Sequence, residues 1–191
     1  MSESGFHVHG PHDHEMEHAA EHDPKGLAGQ LAVITAILAT VGAIFAYMGG
    51  ATQADAGLFK NDAAIKKTEA SNQWNYYQAK GGKQNLSELA LELASDARKP
   101  FYTGEIARYK TEKEAIKVEA EKFEAASKEA DDKSAEQMHQ HHRWAQATTL
   151  LQISIALAAI ALLTRKRWME KLVFGVSGVG VVVGIAAWLH Y

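Results

Sequence analysis

The sequence predicts an all-α membrane protein: three transmembrane helices, with a long antiparallel helical hairpin, coiled-coil-like, between the first and the second. Three observations carry this. Residues 27–50, 144–164 and 172–191 contain no Asp, Glu, Lys or Arg, and each is close to the roughly 20 residues a helix needs to cross a bilayer's hydrocarbon core. Residues 51–143 are rich in charge and place apolar side chains at three–four spacing, the period of a helix face. The only prolines are Pro11, Pro24 and Pro100, so from Lys25 onward a single proline interrupts a chain otherwise free to be helical. Alternating strand patterns with hairpin dipeptides are missing.

Composition narrows the function classes. The 191 residues carry a net charge of −3 and no cysteine. That balance offers no basic field for nucleic acid. The lack of thiols removes disulfides, iron–sulfur clusters and thiol catalysis. The mean hydropathy is slightly polar because apolar spans are averaged with a charged middle.

Residues 1–26 form a polar, acidic, His-rich tail that cannot bury enough apolar surface to offset its ordering entropy. It lacks the basic n-region of a secretory signal, so the first span is expected to stay attached. His7, His9, His12, His14, His18 and His22 are interleaved with Asp and Glu. Imidazole with carboxylate suits weak zinc, nickel or copper binding. The competing reading is a solvated tail, since a flexible segment has no preformed site. No other cofactor is expected.

The first span, 27–50, repeats small residues every fourth position at Ala28, Ala32, Ala36 and Thr40, with Gly42, Ala46 and Gly50 continuing nearby. Such spacing lets helices approach closely, within the chain or between copies. Tyr47 stands where an interfacial anchor would.

The middle, 51–143, reads as two helices with a turn near 99–103. The first runs to Arg98, with an apolar stripe at Leu58, Ile65, Leu86, Leu89, Ala90 and Leu93. Gly81-Gly82 is its expected weak point. Lys99-Pro100 ends it, because the residue before proline avoids the α region. The second helix starts near Thr103 as N-cap. Its three–four register runs through Ile106, Tyr109, Lys113, Ile116, Ala120, Phe123, Ser127, Ala130, Ser134, Gln137, His141 and Trp144, a heptad seam with several polar positions. Trp74, Tyr76 and Tyr77 stand among amides in SNQWNYYQAKGGKQ. They read either as an interaction patch or as packing against the opposite helix. His139, His141 and His142 precede the second span as interfacial polar residues or part of a metal or proton site.

The second span, 144–164, holds one strongly polar side chain, Gln152. An amide at that depth marks a packed helix face. The basic turn, 165–171, carries Arg165, Lys166, Arg167 and Lys171 beside Trp168. The third span, 172–191, contains Gly180 and Gly184 at GxxxG spacing, a dimerisation cue, and Trp188 and Tyr191 as a second aromatic belt. The short basic turn should be cytoplasmic, which places the N-terminus in the cytoplasm and the hairpin on the far side. A cytoplasmic hairpin is the rival orientation.

The patch WNYYQAK and the stretch HHRWAQATTLLQISIALAAIALLTRKRW resemble an uncharacterised bacterial inner-membrane family, the domain of unknown function 4337. The resemblance runs from Gly26 to Tyr191 and leaves out the His-rich tail. It implies a bacterial inner membrane, one span followed by a two-helix polar middle and a closing pair of spans, and no established activity. No catalytic residues are expected: no Ser/His/Asp pattern, P-loop, dinucleotide fingerprint or HExxH occurs. The expected role is an oligomeric scaffold or accessory subunit, with membrane lipids and a second copy or another membrane protein as partners. A channel or transporter component and a metal-handling protein are the alternatives. The uncharged span interiors argue against proton or metal transport by a monomer.

Overall fold

The structure, a computed structural model, describes residues 26–189. The histidine tail and Tyr191 lie outside the described residues. Among these residues the chain is all helical: α1 Leu27–Leu93, α2 Lys99–Thr164 and α3 Arg167–Trp188.

Helix boundaries depart from the sequence reading at three points. α1 passes through Gly81-Gly82 without interruption and stops at Leu93. The cost of glycine, about 1 kcal/mol each against alanine, does not break a helix supported along its length by a neighbour. Lys99-Pro100 opens α2 rather than closing α1. Proline fits a first turn, where its missing N–H would have no intrahelical partner. The connection is residues 94–98, tightened by the Arg98 N–H donating to the Ser95 carbonyl at 2.8 Å and by a Lys99–Asp96 ion pair. Thr103 is therefore not a cap. It lies inside α2 and its hydroxyl donates to the Lys99 carbonyl. At the other end α3 begins at Arg167, so the basic turn shrinks to Arg165 and Lys166, with Arg167 and Lys171 helical. Arg165 takes a positive φ of 53°, the left-handed conformation that commonly terminates a helix.

The described residues divide into two compact units, Ala54–Gln137 and residues 26–53 with 138–189. In the polar unit Ala56, Ala63 and Ala70 of α1 are buried seven residues apart. Facing them, Ile116, Ala120, Ser127, Ala130 and Ser134 of α2 are buried and Phe123 half-buried, as the α2 register predicts. Alanine keeps the backbones close enough for hydroxyls to cross. Ser127 Oγ donates to the Ala63 carbonyl and Ser134 Oγ to the Ala56 carbonyl, both at 2.8 Å. The stripe expected on α1 is displaced: Leu58, Ile65, Leu86, Leu89 and Leu93 are exposed. The bulk on this seam comes from α2, so α1 contributes small side chains.

In the other unit, α1, α2 and α3 each touch the other two. Gly42 meets Leu151, Gly49 meets Trp144, Gly180 meets Leu150 and Leu151, and Gly184 meets the Phe45 ring. Leu31, Leu38, Leu151, Ala158, Met169 and Val173 form the core. The hydroxyls of Thr40, Thr148, Thr149 and Ser154 donate to the carbonyl four residues earlier, which satisfies them without water. Gly180 and Gly184 thus serve helix packing within the chain. Of the small residues repeated along α1, Gly42 is buried against Leu151 and Ala28 and Ala32 are half-buried, whereas Ala36, Thr40, Ala46 and Gly50 are exposed.

Candidate functional site

The polar unit gathers its aromatic and cationic side chains where residues 74–84 of α1 meet 105–124 of α2. Each group arrives by helix spacing. Trp74, Tyr77, Lys80 and Gln84 follow one another at three or four residues along α1, as do Glu105, Arg108 and Glu112 on α2, where Lys113 stands four residues after Tyr109; such spacing puts side chains on one face.

Lys80 holds the centre. Its ammonium pairs with the Glu112 carboxylate and sits 5.1 Å from the Tyr76 ring centre and 5.6 Å from that of Tyr109. Arg108 pairs with Glu105 at 2.7 Å, reaches Glu112 at 3.5 Å and lies over Tyr109. Lys113 lies over Tyr77 at 4.7 Å and donates to Gln84 Oε1. Trp74 Nε1 donates to Glu124 at 2.9 Å and stacks edge-on with Tyr77. The hydrogen bond from Lys80, aided by the positive charges of Lys80 and Arg108, holds the Glu112 carboxyl below its usual range. The same bond, with help from Tyr76, holds the Lys80 ammonium above its own. Cations over aromatic faces and a half-buried ion pair join one helix to the other. Trp74 and Tyr77 are half-buried in this lock, while Tyr76 is half exposed. A shallow groove beside the cluster is lined by Gln84, Lys110, Thr111, Lys113 and Glu114.

The remaining sequence candidates are dispersed. His141 Nδ1 lies 2.8 Å from the Gly49 carbonyl. A carbonyl only accepts, so that nitrogen carries the proton. His139 and His142 are exposed. Among the described residues no group of three His, Cys, Asp or Glu side chains is placed to hold a metal ion. The metal reading of His7, His9, His12, His14, His18 and His22 lies outside the described residues. Gln152 does not lie on the packed face expected of it. It is exposed, while Leu151, Ser154 and Ala158 take the interior. The side chains that join the helices of the polar unit, Ala56, Ala63 and Ala70, escape a reading for large apolar residues. Their signal is a step of seven rather than four.

Residues 27–190 match the family described as Domain of unknown function (DUF4337). The chain belongs to this family. DUF4337 thus covers all three helices and leaves out the His-rich tail, as the WNYYQAK and TRKRW resemblance implies. No curated protein and no solved structure matches the chain.

Proposed function

We propose that this chain is an integral membrane scaffold or accessory subunit that self-associates. Its three apolar stretches cross a bilayer, and the polar parts of α1 and α2 form a long antiparallel coiled-coil hairpin outside it. The observation that carries this reading is an inverted surface. Large apolar side chains point outward throughout the apolar unit: Val33, Ile37, Ile44, Ile160, Phe174 and Val182 are all about half exposed or more. All three helices are long and apolar enough to cross a membrane. An exterior of that kind is stable in lipid and costly in water. The hairpin reading rests on the contact order, since Ala56 faces Ser134, Ala63 faces Ser127 and Lys80 faces Glu112.

The proposed setting is a bacterial inner membrane. Arg165, Lys166, Arg167 and Lys171 hold the short turn on the cytoplasmic side, with the N-terminus also cytoplasmic and the hairpin periplasmic. The role is structural rather than catalytic, because the aromatic–cation cluster spends its polar groups on one another. Alkaline carbonate extraction of membranes tests insertion: the chain stays in the pellet, and release into the supernatant overturns the reading. A single cysteine at position 166 tests orientation. It should resist an impermeant maleimide in intact cells and react after lysis.

A further inference from the structure

α1 carries a second seven-residue register that is left exposed among the described residues. Leu58, Ile65, Asn72, Leu86 and Leu93 are separated by seven or fourteen residues, with Leu89 at the intervening position, and all six are exposed. Leu58 is 68% and Leu93 80% exposed. Followed at alternating three–four steps, this register contains no charged residue between 54 and 93, although that stretch holds ten Asp, Glu and Lys residues on its other faces. A solvated helix face takes charge. Leucine and isoleucine at this spacing, cleared of charge, are what a seam between helices takes.

Among the described residues no other helix covers this face. α2's packed register is already occupied by Ala56, Ala63 and Ala70, and its outer surface is charged. The matching surface, uncharged, of equal length and in the same register, is this face on another copy. Asn72 strengthens the match. An amide at a core seam position is unsatisfied against leucine but pairs with itself across a two-fold, which fixes register and number. The edges agree as well. Parallel pairing sets the acidic edge, Asp55, Asp62 and Glu69, against the uncharged edge of Gly57, Ala64 and Ser71, so no like charges meet along it.

We propose that the Leu58–Leu93 face of α1 docks against the same face of a second copy, parallel and in register. The direction rests on the membrane reading above, since two copies inserted the same way run their α1 helices the same way. The chain has no cysteine, so single replacements report contacts cleanly. In native membranes under mild oxidation, Leu58→Cys and Leu86→Cys should each give a disulfide-linked dimer. Lys67→Cys and Glu88→Cys, exposed on other faces, should not. Yields no higher than these controls overturn the proposal. Links between Leu58→Cys and Leu93→Cys copies without self-links overturn the parallel register. The double variant Leu58→Glu/Leu86→Glu should halve the protein mass in mild detergent with helix content unchanged by circular dichroism. An unchanged mass means another face joins the copies: that result removes this interface and leaves the scaffold standing. A monomeric wild-type chain removes both.

Discussion

Glycine shows how far a single position depends on its surroundings. A Cβ on Gly184 would strike the Phe45 ring, and one on Gly180 would lie 3.1 Å from Leu150 Cβ, whereas Gly178 faces open space. Gly184→Leu should therefore destabilise the protein by about 1–3 kcal/mol through overpacking. Gly178→Ala should stabilise it by up to about 1 kcal/mol through helix propensity alone. Thermal unfolding in detergent micelles distinguishes the two, and equal effects at both positions would contradict the close helix contact. Both glycines belong to one apolar segment and read alike along the chain; only the neighbouring ring separates them. Gln152 teaches the same lesson. Its place within the apolar stretch 144–164 is legible from the sequence, but the choice between Gln152 and Ser154 as the inward residue depends on the helix's rotation against its neighbours.

At the scale of the element, the polar seam depends on small residues on one helix and hydroxyls on the other. Ser127→Ala should cost about 0.5–1.5 kcal/mol, the net worth of one hydrogen bond. Ala63→Leu should cost more, because it forces apart backbones that the Ser127–Ala63 bond requires to be close. Urea unfolding followed by circular dichroism measures both, and an Ala63→Leu chain as stable as wild type would refute the seam. The Lys80–Glu112 pair adds a dependence on pH. Glu112's pKa is depressed in the fold, so its stabilisation is complete above the unfolded-state value and fades as pH falls below about 4. Lys80's pKa is raised, so its contribution is complete below about 10.4 and fades at higher pH. The stability gap between wild type and Glu112→Gln should accordingly be flat from about pH 5 to 9 and narrow at both extremes. A gap that widens in acid would reverse the assignment. The α2 register was legible because Ile106, Ile116 and Phe123 mark it with bulk. The α1 register was not, because alanine at every seventh position is common in helices and carries no bulk.

For the molecule as a whole, orientation should follow the charges around the short turn. Replacing Arg165, Arg167 and Lys171 with glutamine in the Lys166→Cys chain removes the bias that short basic segments exert. Chains so altered should insert in both orientations, read as partial labelling of a cysteine at position 166 in intact cells. Uniform protection of that cysteine would show that another feature sets the topology. What the residues alone determined was the helical class, the three uncharged stretches and the α2 register, because charge, proline and periodicity act locally along one chain. Tertiary structure alone decided which face of each helix turns inward, that Gly180 and Gly184 serve an internal contact, and that proline opens α2. These outcomes depend on matching two surfaces, and a helix that is apolar all round, or that carries two seven-residue faces, does not reveal from its own sequence which side its neighbour will take.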